Sequence, residues 1–302
     1  KTNSGLRSSN IMARYSVVVL IIHAAYCFLD NRSTNGVCSD VSKKTHRQKP
    51  YSSAKMPSSD PENPSRPRLE SSPELMAELA AASELLEKED PIEVIRWASD
   101  RFGKRLTMAT AFGPEGCLIL HWLSSVAPTT FVFNLETGYQ FKETLELRDR
   151  IRDRYGITVS YESPETTVEE YEGKHGGPLY RTNPAICCGD RKIVVIERVL
   201  SNFDAWMSGI RRDQSPDRAN APIVGWDKKF GVVKISPLAN WTKSQVWDKI
   251  LQEDVPYNPL HDKGYVSIGC WPCTRAITDG EDERAGRWSG SEKTECGLHI
   301  RD

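Results

Sequence analysis

Between residues 106 and 252, short apolar runs alternate with longer segments of helical period, and that alternation leaves few folds open. The strand-like runs are 106–110, 130–134, 158–161, 205–208 and 232–235. The segments 114–125, 141–155, 191–202 and 243–252 are patterned as helices; in the second, Leu147, Ile151 and Tyr155 recur at every fourth position. Strand and helix in strict alternation predict an α/β fold, a parallel sheet covered by helices. Ligands on such sheets bind beyond the carboxyl ends of the strands, so the loops there are the place to look for chemistry. Two helices precede the alternation. One spans 74–86; the next begins at Asp90-Pro91-Ile92-Glu93, with Asp as N-cap, Pro in the first turn and Glu where a capping box has one. No internal repeat is present.

The 302 residues divide unequally. Residues 1–71 read as an extension outside the catalytic fold, 72–285 as the α/β domain, and 286–302 as a mobile tail. Residues 15–29 form an apolar run behind a few basic residues, which superficially resembles a signal-peptide core but is short for a membrane span and contains His23. Residues 30–70 are rich in Ser, Pro, Asn and Lys, a composition that favours disorder. Lys1 is the first residue, and Met12 and Met56 are both candidate starts. An over-extended start is the favoured explanation, with an organelle-targeting leader and export as alternatives. With 40 basic against 41 acidic residues, nothing argues for non-specific attraction to nucleic acid or to an anionic membrane.

The first strand-like run leads into Thr110-Ala111-Phe112-Gly113-Pro114-Glu115-Gly116 and then an apolar helix. Small residues let the backbone approach an anion, and the free amides of the following helix favour negative charge. The Gly-Lys-Ser/Thr ending of a Walker loop is absent, and a simple tight connection explains the pattern equally well. The next run ends in Leu135-Glu136-Thr137-Gly138, a second glycine-bearing loop at the same edge. Two such loops on successive strands point to a nucleotide.

Of eight cysteines, Cys187 and Cys188 are adjacent, Cys270 and Cys273 form a C-x-x-C, and Cys296 stands near the end. Adjacent cysteines are hard to bridge to each other, and disulfide frameworks belong to small secreted domains, so metal or redox chemistry is favoured. Four thiolates suit either zinc or an iron–sulfur cluster; the adjacent pair favours the cluster, whose several metal vertices accommodate neighbouring ligands. Unrelated buried thiols are the bland alternative. Arg191 and Lys192, beside the pair, are either a solvated helix face or positive charge linking an anionic cluster to an anionic substrate.

Arg211 and Arg212, in a polar loop after the run 205–208, are candidates to clamp phosphate or sulfate oxygens, against the alternative of a surface salt-bridge loop. Cys296 lies outside the four-thiol set on a polar tail and is a candidate nucleophile, the alternative being an incidental thiol. Attack needs the thiolate, which Arg284, Arg287 and His299 would favour and Glu295 would oppose.

Taken together, 110–116, 135–138, Cys187-Cys188-Gly189-Asp190-Arg191-Lys192, the loop 209–215, Gly269-Cys270-Trp271-Pro272-Cys273-Thr274, Gly286-Arg287-Trp288 and Glu295-Cys296-Gly297-Leu298-His299 resemble the APS/PAPS reductase family, whose core is similar to the adenine-nucleotide alpha-hydrolase (PP-loop) fold. The resemblance covers about residues 72–299. It implies a cytoplasmic enzyme, or a plastid one if the leader is genuine, with a 4Fe–4S cluster on Cys187, Cys188, Cys270 and Cys273. Both cysteine pairs accompany a preference for adenylyl sulfate (APS) over its 3′-phosphorylated form, PAPS. The resemblance further implies that Cys296 attacks the sulfur of APS, that thioredoxin then releases sulfite, and that the cluster keeps its redox state. Thr110, Phe112, Gly113, Gly138, Lys192, Arg211, Arg212, Arg284 and Arg287 are the implied substrate-binding residues. Nucleic acid and membrane are not implied as partners, and the oligomeric state, a homo-oligomer included, stays open. PAPS reduction, a PP-loop tRNA-modifying enzyme and a non-catalytic metal module are the competing identities.

Overall fold

The computed structural model describes residues 68–291, 293 and 295–299. The extension expected at the amino end, with its apolar run 15–29, lies almost wholly outside the described residues. Six strands form one sheet: β1 (Leu106–Ala109), β2 (Phe131–Leu135), β3 (Val159–Glu162), β4 (Ala205–Met207), β5 (Val224–Asp227) and β6 (Val232–Ile235). Their spatial order is β3-β2-β1-β4-β6-β5. All neighbours run parallel except β5 and β6, which are antiparallel with Trp226 opposite Val233. The parallel sheet foreseen from the alternation is present. The antiparallel edge strand β5 was not foreseen, because a turn across 228–231 joins it to β6 where a helix would mark a parallel neighbour.

Local chemistry starts and stops the helices. Ser72 caps α1 (Pro73–Leu86), its hydroxyl accepting from Leu75 N at 3.2 Å. Asp90 caps α2 (Pro91–Phe102) through Ile92 N at 2.9 Å, while Glu93 turns to Arg96 instead of closing a capping box. The next helix, α3 (Pro114–Val126), buries Cys117, Leu118, Ile119, Leu120, Trp122 and Leu123, which makes it the central helix of the fold. α4 (Lys142–Tyr155) buries Leu147 and Ile151 and ends at Gly156, whose φ of 67° lets the chain turn out of the helix. α5 (Val168–His175) was not foreseen, although a full capping box of Thr167 and Glu170 starts it. Two short helices that were not foreseen, α6 (Leu179–Thr182) and α7 (Pro184–Cys188), lead into a π turn over Gly189–Ile193, and the helix expected over 191–202 is the end of that turn followed by α8 (Val194–Leu200). α9 (Lys243–Gln252) has the expected bounds, with a capping box of Thr242 and Gln245.

Side chains alternate across the sheet, so each face has its own core. Val132, Ala205 and Met207 join Leu106, Met108 and the residues of α1 to α4 and α9 on one face. Phe133 and Trp206 point the other way, against Ile196, Val199, Leu200 and Phe203. Each such burial contributes roughly 1.5–3 kcal/mol, enough to fix which face every strand residue takes. The chain runs outward from β1 through β2 to β3, then crosses back to β4, so a crevice opens where the order reverses, between the carboxyl ends of β1 and β4.

Candidate active site

That crevice is a cavity of about 260 Å³. Thr110, Gly113, Glu115 and Gly116 line it from the loop after β1, Asn134, Thr137 and Gln140 from the end of β2 and its loop, and Ser208 and Arg211 from the segment after β4. The loop after β1 is held rigidly. Thr110 Oγ1 accepts from Phe112 N at 3.0 Å, and a Cβ on Gly116 would sit 2.7 Å from that oxygen. Phe112, expected at the substrate, is instead a peg: its side chain is buried in the core while its backbone holds a φ of 56°. Gly138 also stands behind the lining. Its φ is 79°, and a Cβ there would collide with Val168. Of the two loops foreseen from sequence, each thus supplies lining residues and one structural support.

One end of the cavity is built from sulfur. Cys187 and Cys188 close α7, while Cys270 precedes the turn Trp271–Cys273 and Cys273 ends it. All four thiols line a second, small cavity with Thr137, Tyr139, Tyr180, Arg191 and Lys192. Thr137 Oγ1 lies 3.2 Å from Cys270 Sγ, and Trp271 N donates to Tyr139 O at 2.8 Å, fastening the turn to the loop after β2. Arg191, expected near substrate or solvent, is buried and donates from Nε to Thr137 O at 2.6 Å, so it supports the wall. Burial, helped by the thiols of Cys188, Cys270 and Cys273, pushes Cys187 up to about 12. Burial likewise raises Cys273 to about 11 and raises Cys188 against the pull of Lys192. Four thiols, two of them buried, cannot all ionise side by side without a counter-charge, which a metal group would provide. Among the described residues, no three or more His, Cys, Asp or Glu side chains are set to hold a metal ion. The four thiols do share the wall of one space from two separated chain segments, and four sulfur donors are the chemistry that a metal group would need.

Lys192, Thr137 and Cys270 line both cavities and join them. Burial opposes the charge of Lys192, but Cys270, Cys188 and Cys296 hold its pKa above the ordinary lysine value. Arg284 and Arg287 line the same end of the larger cavity, with Cys296 beside them. Arg287 packs its guanidinium 4.4 Å from the Trp288 ring and against Gly269, and its buried Nε has no partner. Burial lowers Arg284 below the usual arginine value, despite Glu295.

The tail, expected to be mobile, is docked across this cavity. Glu295 is buried and receives Arg218 Nε and Nη2, both at 3.0 Å, with Arg284 Nη2 at 3.2 Å. Lys229 Nζ donates to Gly297 O at 2.8 Å, and His299 stacks on Trp206 at 5.8 Å. His299 was expected to lend charge to Cys296. Burial pushes its pKa well below 6.5, so it faces the cavity as a neutral ring.

The arginine pair also needs correcting. Arg211 lines the cavity, but its guanidinium is already engaged by Glu115, at 2.7 Å, and by Asp213. Arg212 points away, donating to both carboxylate oxygens of Glu87, at 2.5 and 2.7 Å, and to Ala221 O. Adjacent residues on an extended turn project to opposite sides, and Glu87 fixes which one faces outward. Sequence reasoning passed over Glu115, Ser208, Arg218, Lys243, His261 and Glu283 as site residues, although all line the cavity. Their one sequence signal is position, after strands or in the polar loops beyond them.

Residues 105–276 match the phosphoadenosine phosphosulfate reductase domain. The adenosine 5′-phosphosulfate reductase of Halalkalibacterium halodurans is 46% identical over 218 residues, 72% of this chain and 94% of that one. The phosphoadenosine 5′-phosphosulfate reductase of Gloeobacter violaceus is 45% identical over 213 residues, 70% of this chain and 88% of that one. Among solved structures, phosphoadenylyl-sulfate reductase from Candida auris, in a phosphate complex, superposes with a TM-score of 0.61 at 30% identity, covering 69% of this chain and all of that one. With its sheet order, its crevice and these matches in agreement, the chain belongs to the APS/PAPS reductase family.

Proposed function

We propose that this chain reduces adenylyl sulfate to sulfite and AMP with a dithiol of the thioredoxin class as reductant. The observation that carries the reading is the presence of Cys296 in one cavity with the phosphate-type loop after β1 and with Lys192, Arg284 and Arg287. In the first step the Cys296 thiolate attacks the sulfur of the phosphosulfate. A sulfur–sulfur bond forms, the sulfur–oxygen bond to phosphate breaks, and AMP leaves with that electron pair. Lys192, Arg284 and Arg287 face the oxygens on which charge grows, and a docked tail holds nucleophile and sulfur together. In the second step a thioredoxin thiolate attacks Cys296 Sγ, and sulfite leaves with the bonding pair. The second thioredoxin thiol resolves the mixed disulfide and restores the Cys296 thiolate. Two electrons from the dithiol thus reduce the sulfonyl sulfur, leaving thioredoxin as its disulfide.

Cys187, Cys188, Cys270 and Cys273 would hold a four-iron, four-sulfur cluster, which when bound supplies a covalent tie between two chain segments and a fixed charge beside Lys192. Lys192 holds its own proton among those thiols and offers it toward substrate oxygens. PAPS reduction is a second reading, favoured by the names of the Gloeobacter and Candida relatives. Purified protein incubated with sulfur-labelled APS should acquire label on Cys296 that reduced thioredoxin releases as sulfite. Protein that turns over APS without ever carrying label at Cys296 would contradict the mechanism, and faster turnover of PAPS than of APS would overturn the substrate.

A further inference from the structure

Outside the small space that the four thiols share, the larger cavity is lined by Glu115, Ser208, Arg211, Lys243, His261 and Glu283. Basic residues at a nucleotide site ordinarily signal phosphate, but here they are already matched. Arg211, 2% exposed, gives Nε to Glu115 at 2.7 Å, Nη1 to Asp213, and Nη2 to Glu283 at 3.8 Å. Lys243 Nζ lies 2.9 Å from the other oxygen of Glu283, and its backbone N donates to Asp213 at 3.0 Å. Three carboxylates therefore face two cations. Arg218, which also lines the cavity, is occupied by Glu295 and Gln214. The backbone that carries Glu115 is packed closely, since a Cβ on Gly209 would stand 3.0 Å from Glu115 Cβ and 3.1 Å from Gly116 N.

What this end lacks in spare charge it has in neutral hydrogen-bonding groups. Ser208 is 2% exposed and its Oγ has no partner; His261 Nε2 is likewise buried and unpartnered. Burial drives His261 down to about 4, so it is uncharged at neutral pH. Orphaned polar atoms that line a cavity mark where ligand atoms complete the hydrogen bonding.

Resting on the proposed reaction, the chemistry fixes the sulfur beside Cys296, so the nucleoside extends into this other end. We infer that Glu115 and Glu283 select against a 3′-phosphate, making this end a site for a ribose hydroxyl. A hydroxyl can donate to a carboxylate there and meet the neutral serine and histidine. A phosphate monoester brings about two negative charges into a network with no cation to spare, and rejection of this kind gives specificity by building against the competitor.

The test needs no turnover. Binding of AMP and of adenosine 3′,5′-bisphosphate is measured by calorimetry on wild type, Glu115→Gln, Glu283→Gln and the double variant. Wild type should bind AMP at least tenfold tighter than the bisphosphate. The double variant should bring the two within about threefold by tightening the bisphosphate. Glu283→Gln changes a partly exposed carboxylate and leaves the buried Arg211–Glu115 pair intact, and alone should shift the ratio about threefold. Wild type that binds the bisphosphate as tightly as AMP, or variants that weaken both ligands equally, would overturn the inference. Labelling of Cys296 by APS reads the parent mechanism separately: label with an unchanged ratio sinks this inference alone.

Discussion

The two ends of the cavity hold similar numbers of cationic side chains and use them oppositely. At the sulfur end, Lys192 stands among Cys188, Cys270 and Cys296, and Arg287 keeps a buried Nε without a partner. At the nucleoside end, Arg211 and Lys243 are tied into Glu115, Asp213 and Glu283. Counting arginines therefore says little about where an anion binds. What decides is whether the guanidinium has already met a carboxylate, since a buried pair gives up its partner only at a cost of several kcal/mol. One end is built to receive developing negative charge and the other to refuse surplus charge.

The sharpest way to separate the ends is to disable one. Cys296→Ser should lower sulfite production by on the order of 10⁴-fold or more, the scale on which a lost nucleophile acts. AMP affinity, read at the other end, should stay within about twofold, and the iron and sulfide content expected of the proposed cluster should not fall. A variant that keeps more than about 1% of the activity would break the assignment of the nucleophile. Cys270→Ser acts one layer further out. Iron and sulfide analysis should show the proposed cluster lost, and activity should fall about a hundredfold, the scale on which groups supporting a metal site act. AMP binding should survive more fully than turnover. Equal loss of both would mean that the ends are not separate.

Sequence made the sulfur end legible far more fully than the nucleoside end, and the reason is physical. A thiol has few roles, so Cys187, Cys188, Cys270, Cys273 and Cys296 stood out by their spacing, while their roles as ligands and nucleophile came from the family resemblance. A carboxylate or guanidinium has many, and its role depends on partners distant in the chain. Arg212 is turned out of the site by Glu87, 125 residues away, and Arg211 is held by Glu115, 96 residues away. The fold divides in the same manner. The bounds of α9 were readable because Thr242 and Gln245 form a local capping box. β5 contains Gly225 and exists only by pairing with β6, and α5 buries only Tyr171, so neither offers a strong period. The first residues of the helix expected over 191–202 belong to a π turn that begins at Gly189. Gly189 was quoted among the motif residues, yet nothing local tells a π turn from a continuous helix.

The tail bridges the two ends, and its anchors grade the remaining expectations. Glu295→Gln leaves Arg218 and Arg284 without their counter-charge in a buried place, at a cost of about 3 kcal/mol to the docked tail. The rate at which APS labels Cys296 should drop by about a hundredfold, whereas AMP affinity should hold or rise because two guanidinium groups are released. Weaker AMP binding would show that Glu295 shapes the nucleotide site itself rather than the approach of the nucleophile.

Lys229→Ala is the mildest cut. It removes one hydrogen bond, from Nζ to Gly297 O, at an exposed position. Such a bond contributes about 0.5–1 kcal/mol net, so labelling of Cys296 should slow by about two- to fivefold, and AMP binding should not change. Because Lys229 lies on the turn between β5 and β6, the edge hairpin that sequence failed to reveal would then be holding the nucleophile in place. A wild-type labelling rate in this variant would mean that the Glu295 pair and the His299–Trp206 stack dock the tail without help from that hairpin, and the two ends would be joined through the core of the site alone.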